Sequence, residues 1–209
     1  MISNDIDSRL QSGLSRYLTS EQMHKLASVK IGIAGCGGLG SNCATMLVRS
    51  GVRNLLLVDY DTVDSSNLNR QFYFEEQIGV SKVMSCRENL LRIDSTLNIL
   101  VHNAQLTETS LREYFVDCDI IIEALDSVEG KKMMAQTFVS DPRFFVSASG
   151  MAGWGEPYMK SRTIREDTVL VGDFTTDIAE LAPMAPKVTM AAAMQADAVL
   201  THILGSCSK

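Results

Sequence analysis

Residues 29–59 read VKIGIAGCGGLGSNCATMLVRSGVRNLLLVD. Val29 to Ala34 is a short apolar run of the kind that forms a strand buried on both faces. The glycine turn GCGGLG follows, then a helix from about Ser41 to Ser50, then a second buried strand, NLLLVD, ending at Asp59. Gly35, Gly37 and Gly40, with Gly38 between them, place G-x-G-x-x-G directly between the first strand and its helix. Missing β-carbons there let backbone amides approach a phosphate at a helix N-terminus. Asp59, 19 positions after Gly40 at the end of the next strand, stands where an acid meets a ribose hydroxyl. The spacing points to a nucleotide; a turn selected for packing alone is the competing reading.

The alternation continues outward. A polar excursion, DTVDSSNLNRQFYFEEQIG, precedes a helix from about Val80 to Asp94, and LNILVHNA is a third strand. Ser110 and Glu113 have capping-box spacing and mark the start of another helix. DIIIEALD is a fourth strand, Glu129 to Val139 a helix, and RFFVSAS a fifth strand. Beyond Gly150 the chain reads as a turn (GMAGWGEP), a strand (YMKSRTI), a loop (DFTTDIAELAPMAP) and an Ala/Met-rich helix from Lys187 to Leu204, closed by Gly205. Strands alternating with helices of this length predict an α/β protein, a doubly wound, Rossmann-like, mainly parallel sheet with helices on both faces. The expected organisation is an N-terminal helical segment, 1–28, and one nucleotide-binding domain, 29–209.

Composition agrees with a single globular unit. The 209 residues are 45% hydrophobic and 21% charged, which excludes a disordered or fibrous chain. A net charge of −6 with no basic cluster argues against nucleic acid as the main partner. The N-terminus has no basic and apolar leader, and no apolar run reaches the ~18 residues of a membrane span, so a cytoplasmic, membrane-free protein is expected. Five cysteines, Cys36, Cys43, Cys86, Cys118 and Cys207, form no C-x-x-C pair. Buried thiols are expected in place of a disulfide framework or a zinc site. His24, His102 and His202 have no partners at metal-ligand spacing, and Trp154 reads as a packing residue or the lining of a channel.

The glycine turn and Asp59 alone suit NAD as well as ATP. The excursion after the second strand separates them, because it gathers Asp61, Asn67, Arg70, Gln71 and Lys82 near the cofactor. A hydride-transfer site has no use for two cations and two amides there, whereas a triphosphate does: Arg offers a forked donor set and Lys a compact charge. Asp126 lies just past the fourth strand, at the sheet edge where ligands bind. It is either a Mg²⁺ ligand or the cap of the following helix.

These residues resemble the ThiF/MoeB/HesA adenylyltransferases, relatives of ubiquitin-activating enzymes. The resemblance lies in IAGCGGLGSN, LLLVDYDTVDSSNLNRQ, IGVSKV, ALDS and APMAPKV, and the signature D-x-D-x-V-x-x-S-N-L-x-R-Q is complete from Asp59 to Gln71. It implies condensation of the C-terminal glycine carboxylate of a small ubiquitin-like carrier with ATP, giving an acyl-adenylate and pyrophosphate. It further implies that the Gly35–Gly40 turn and Asp59 hold the nucleotide, that Asn67, Arg70, Gln71 and Lys82 contact its phosphates, and that Asp126 helps hold Mg²⁺. An arginine from a second subunit, here Arg9 or Arg16, would complete each site in trans, so a homodimer is expected. The sequence departs from longer members in having no paired C-x-x-C, so no zinc is expected. No cysteine lies in the loop 172–186, and adenylation without a covalent intermediate there is the expectation. The final strands of longer relatives do not follow the last helix. This short pattern most resembles the ThiF branch that activates a ThiS-like sulfur carrier ending in Gly-Gly, in thiamine thiazole synthesis. A MoaD-like carrier, a modified tRNA adenosine, an NAD-dependent oxidoreductase and a non-catalytic nucleotide-binding subunit are the alternatives.

Overall fold

The computed structural model describes residues 8–206. The elements run α1 (Arg9–Leu14), α2 (Ser20–Ser28), β1 (Lys30–Ala34), α3 (Gly38–Arg49), β2 (Asn54–Asp59), α4 (Lys82–Ile93) and β3 (Asn98–Asn103). They continue through α5 (Glu108–Tyr114), β4 (Ile120–Glu123), α6 (Val128–Phe138), β5 (Phe144–Ala148), β6 (Lys160–Arg165), β7 (Thr168–Gly172) and α7 (Ala185–Leu204). Residues 1–7 of the expected N-terminal segment and Cys207 lie outside the described residues.

Alternate residues of a strand face opposite sides of a sheet. In β1, Ile31 and Ile33 join one core while Ala34 joins the other. The first core packs β1, β2, β4, β5 and β7 against α3, α4 and α7, through Cys43, Leu47, Leu90, Ala191 and Val199. The second packs Leu56, Ile121 and Phe145 against Leu111, Phe115, Met134 and Phe138 of the α5 and α6 region. Gly32 belongs to this second face, where a β-carbon would enter the Phe115 ring and come within 2.9 Å of the Cys118 thiol.

The seven strands are ordered β3-β2-β1-β4-β5-β7-β6, all parallel except β6, which pairs antiparallel with β7. Chain order reverses direction between β1 and β4, so the loops leaving these two strands diverge and open a crevice at their C-terminal ends. The doubly wound fold with helices on both faces is therefore as expected. Among the described residues, no helix is long and apolar enough to cross a membrane.

Several boundaries differ from the sequence reading. α3 begins at Gly38, so the last glycines of the turn are helical. The capping box of α5 lies one turn earlier than Ser110–Glu113: the Ser110 amide donates to Thr107 Oγ1 at 3.2 Å, and the Thr107 amide donates to Ser110 Oγ at 2.8 Å. β7 is an element that the sequence reading omits. It is a short apolar run separated from β6 only by Glu166 and Asp167, with no Gly or Pro to announce the reversal. β6 is exposed along its whole length, as befits the outer strand of the sheet. Cys36, Cys43, Cys86 and Cys118 are buried free thiols.

Substituting Gly32→Val overpacks the β1–Phe115 contact. The expected cost is about 3 kcal/mol, read as a fall of about 6–12 °C in the midpoint of thermal unfolding followed by circular dichroism.

Candidate functional site

The site is built where β1 and β2 end. Asp59, the last residue of β2, accepts the Cys36 amide on Oδ2 at 2.6 Å and the Asp61 amide on Oδ1 at 2.8 Å. One carboxylate thus fastens both the glycine turn and the start of the polar excursion. Burial pushes the Asp59 carboxyl above its ordinary pKa, and the two amides and Lys82 oppose that shift.

The turn itself is shaped by contact. Gly35 has φ +97°, and a β-carbon there would lie 2.5 Å from the Ala124 carbonyl oxygen at the end of β4. Gly37 is different. It precedes the first turn of α3 with no side-chain cap, and the nearest atom to a β-carbon built on it is Gln71 Nε2, at 3.7 Å. The α3 N-terminus therefore carries no side-chain cap and is open beside Gly37, the arrangement that suits an anion.

Around that N-terminus the excursion folds back as a clasp. Asn42 Nδ2 donates to the Gly38 carbonyl at 2.7 Å and to the Arg70 carbonyl at 2.8 Å, and Ser41 Oγ accepts the Phe72 amide at 3.0 Å. Arg70 lies over Gly38, its Nη1 donating to the Ser66 carbonyl and to Asn69 Oδ1. Gln71 is buried, and its Oε1 has no hydrogen-bond partner among the described residues. Asn67 closes a short 3₁₀ turn with Asp64, accepting the Asp64 amide on its own Oδ1 at 3.0 Å. Lys82, the first residue of α4 and only 6% exposed, donates from Nζ to Asp61 Oδ2 at 2.8 Å.

Asp126 follows β4 and is exposed. The alternative of a helix cap is settled by Ser127, whose Oγ accepts the Gly130 amide at the start of α6. Asp126 is thus left unengaged among the described hydrogen bonds and ion pairs. No group of three or more His, Cys, Asp or Glu capable of holding a metal occurs among the described residues. One free carboxylate suits a Mg²⁺ held jointly with phosphate oxygens and water. An uncapped helix N-terminus and two cations likewise suit a nucleoside triphosphate.

Arg9 and Arg16 do not join this constellation. Leu14 of α1 and Leu26 of α2 pack beside Gly51, past the far end of α3 from the turn. Twelve helical residues, about 18 Å, separate the two ends. Both arginines are exposed there, around a shallow depression with Leu10, Gly13 and Tyr17.

The structure adds residues that sequence reasoning missed. Glu123 is fully buried; its carboxylate accepts the Leu125 amide at 2.7 Å, Lys131 Nζ at 3.0 Å and Ser147 Oγ at 2.5 Å. It shapes the loop carrying Asp126, and its signal was an acid inside the apolar run DIIIEAL. Lys187 in the first turn of α7 pairs with Asp173 at 2.9 Å, and the residues are 2% and 4% exposed. This pair closes the two ends of the loop 173–186, while Asn69 Nδ2 holds its Pro183 carbonyl at 3.0 Å. Trp154, beside that loop, is 74% exposed and is no packing residue of this chain.

The fold and this crevice define a doubly wound α/β protein with a glycine turn and an uncapped helix N-terminus at the switch point of its sheet. The chain belongs to the ThiF family, which it matches over residues 10–209. It is 31% identical over 145 residues to SUMO-activating enzyme subunit 2 of Dictyostelium discoideum, covering 68% of this chain and 22% of that protein. It is 33% identical over 133 residues to the adenylyltransferase and sulfurtransferase MOCS3 of Xenopus laevis, covering 63% and 30%. The chain thus spans less than a third of the length of each of these relatives. Its fold is similar to that of the E. coli tRNA N6-threonylcarbamoyladenosine dehydratase TcdA in complex with AMP, with a TM-score of 0.83, 19% identity, and coverage of 92% and 93%.

The buried pair gives a stability prediction. Burial alone would raise the Asp173 carboxyl, but hydrogen bonds from Thr176, Thr175 and Lys187 outweigh it and hold the group well below the ordinary range. Unfolded chains take up this proton near pH 4, where the folded protein does not, so the contribution is full above about pH 5 and is lost as pH falls further. Asp173→Asn should cost about 3–5 kcal/mol at neutral pH by leaving Lys187 buried and unpaired. It should also flatten the acid limb of stability against pH, measured by urea unfolding between pH 3 and 7.

Proposed function

We propose that this chain binds ATP and adenylates the C-terminal carboxylate of a small ubiquitin-like carrier protein. The observation that carries the reading is the clasp of Arg70 and Gln71 over the uncapped N-terminus of α3, with Lys82 on the same side. A carboxylate must approach a polyanion in this reaction, so charge neutralisation and alignment do more than any strong acid or base. The carboxylate oxygen attacks the α-phosphorus; the acyl–phosphate bond forms, the α–β phosphoanhydride bond breaks, and pyrophosphate leaves with the electron pair.

Each residue has a place in that step. The Gly35–Gly40 turn and the amides of α3 hold phosphate oxygens, and Asp59, whose carboxylate retains acceptor capacity beyond its two amides, takes the ribose. Arg70 and Lys82 offset the charge that accumulates on the departing pyrophosphate, Lys82 passing from Asp61 to a phosphate oxygen. Gln71 and Asn67 line the phosphate track. Asp126 with the phosphates would hold Mg²⁺, which supplies further charge neutralisation. Arg9 or Arg16 of a second copy would complete the site, because neither reaches the site of its own chain.

The carrier we favour is ThiS-like, with a C-terminal Gly-Gly, serving thiazole formation. This rests on the resemblance of the sequence, with its Asp59–Gln71 signature and no paired C-x-x-C, to the ThiF branch. MOCS3, one of the relatives, is named for adenylyl and sulfur transfer. A second reading, the same adenylation chemistry on a modified tRNA adenosine, is favoured by the likeness of fold to TcdA over nearly the whole chain. The net charge of −6 opposes it.

Exchange of labelled pyrophosphate into ATP, with Mg²⁺, tests the reading. Exchange should depend on a ThiS-like carrier ending in Gly-Gly and be absent with transfer RNA. Arg70→Ala and Asp126→Ala should each lower the exchange rate by at least ~100-fold while leaving the unfolding temperature nearly unchanged. Exchange at the wild-type rate in the double variant would refute the site. ATP–Mg²⁺ at 100 times its dissociation constant should raise the unfolding temperature by about 5–11 °C, and NAD should not.

A further inference from the structure

Tyr73 occupies a place that neither the glycine turn nor the cation set explains. Its ring belongs to the core below the site, the residue is 6% exposed, and its hydroxyl lies 2.6 Å from the Cys36 carbonyl oxygen and 3.2 Å from that of Lys82. Cys36 is the second residue of the glycine turn and is fully buried, and Lys82 opens α4. The single phenolic proton is thus directed chiefly at the Cys36 carbonyl, with the Lys82 carbonyl a longer second contact, so one hydroxyl touches both backbone segments that frame the crevice.

The peptide plane gives this contact its consequence. A trans peptide points its C=O and N–H in opposite directions. Tyr73 holds the Cys36 carbonyl, so the Gly37 N–H of the same peptide points away from the Tyr73 hydroxyl, at a residue whose β-carbon position is open to within 3.7 Å of Gln71 Nε2. Asp59 holds the other side of Cys36 through its amide. The Tyr73 contact opposes rotation of the Cys36–Gly37 peptide, and the Asp59 contact fixes the peptide before it.

We propose that Tyr73 is a positioning residue that aims the Gly37 amide at a phosphate of the bound nucleotide and keeps it in register with Lys82. The inference rests on the ATP reading of the site. Burial holds the phenol well above its ordinary pKa, so the proton it donates stays in place across the working pH range.

Tyr73→Phe removes one oxygen and keeps the ring. Isothermal titration of wild type and variant with ATP–Mg²⁺ and with adenosine separates aim from general loosening, because only ATP carries phosphates. The expected result is ATP binding weakened about tenfold, the equivalent of one net hydrogen bond, with adenosine binding unchanged. The ¹⁵N–¹H resonance of Gly37 in the ligand-free variant should also move. Unchanged ATP affinity, an equal loss for both ligands, or an unmoved Gly37 resonance would each overturn the proposal. A wild-type chain that binds no ATP would overturn the nucleotide reading, and the proposal with it.

Discussion

Two amide hydrogens meet one carboxylate at the end of β2, and the rest of the site depends on that meeting. By accepting from both Cys36 and Asp61, Asp59 ties the loops leaving two neighbouring parallel strands to a single point. Position then passes outward in order. The fixed turn sets where α3 begins; the first turn of α3 gives Asn42 and Ser41 to the returning excursion; and that excursion brings Arg70 and Gln71 over the helix N-terminus. Asp61 in turn holds Lys82, so both cations take their places from the same carboxylate. A buried acid with a raised pKa is costly unless donors surround it, and these donors are backbone groups that only a substitution by proline removes.

The parts of this architecture that the sequence displays are those governed by local rules. Apolar runs between glycine and polar segments reveal β1, β2, β4 and β5, because a strand buried on both faces has no choice of residue type. The glycine turn and the long signature after β2 are likewise visible, since ligand approach and close contact restrict residues at fixed spacing. Harder to see are features whose meaning depends on distant partners. Lys187 looks like an ordinary cation at the start of an apolar helix until Asp173, 14 residues earlier, is found against it. Glu123 looks like a break in a strand until Lys131, Ser147 and the Leu125 amide converge on it. Tyr73 gives no signal at all, since its function lies in two backbone carbonyls.

The loop 173–186 shows how charge can substitute for apolar packing. Its middle is exposed and its residues are mixed, yet both ends meet in an ion pair almost wholly removed from water. A cation in the first turn of a helix works against the helix dipole. Lys187 is tolerated there because Asp173 and the Ala152 carbonyl surround its ammonium. The loop is thereby anchored beside the crevice without a cysteine.

The last helix carries one more implication. α7 is 20 residues long, about 30 Å of unbroken rod, with Val188 against Gly38 at one end and His202 stacked on Phe144 at the other. Between them Ala191, Ala192, Ala196 and Val199 are sealed in the main core against α3. The glycine turn thus leans on an element buried along much of its length. In the language of native-state hydrogen exchange, α7 and the hydrogen-bonded body of α3 form one cooperative unit, whereas the unbonded amides at the head of α3 exchange without its opening.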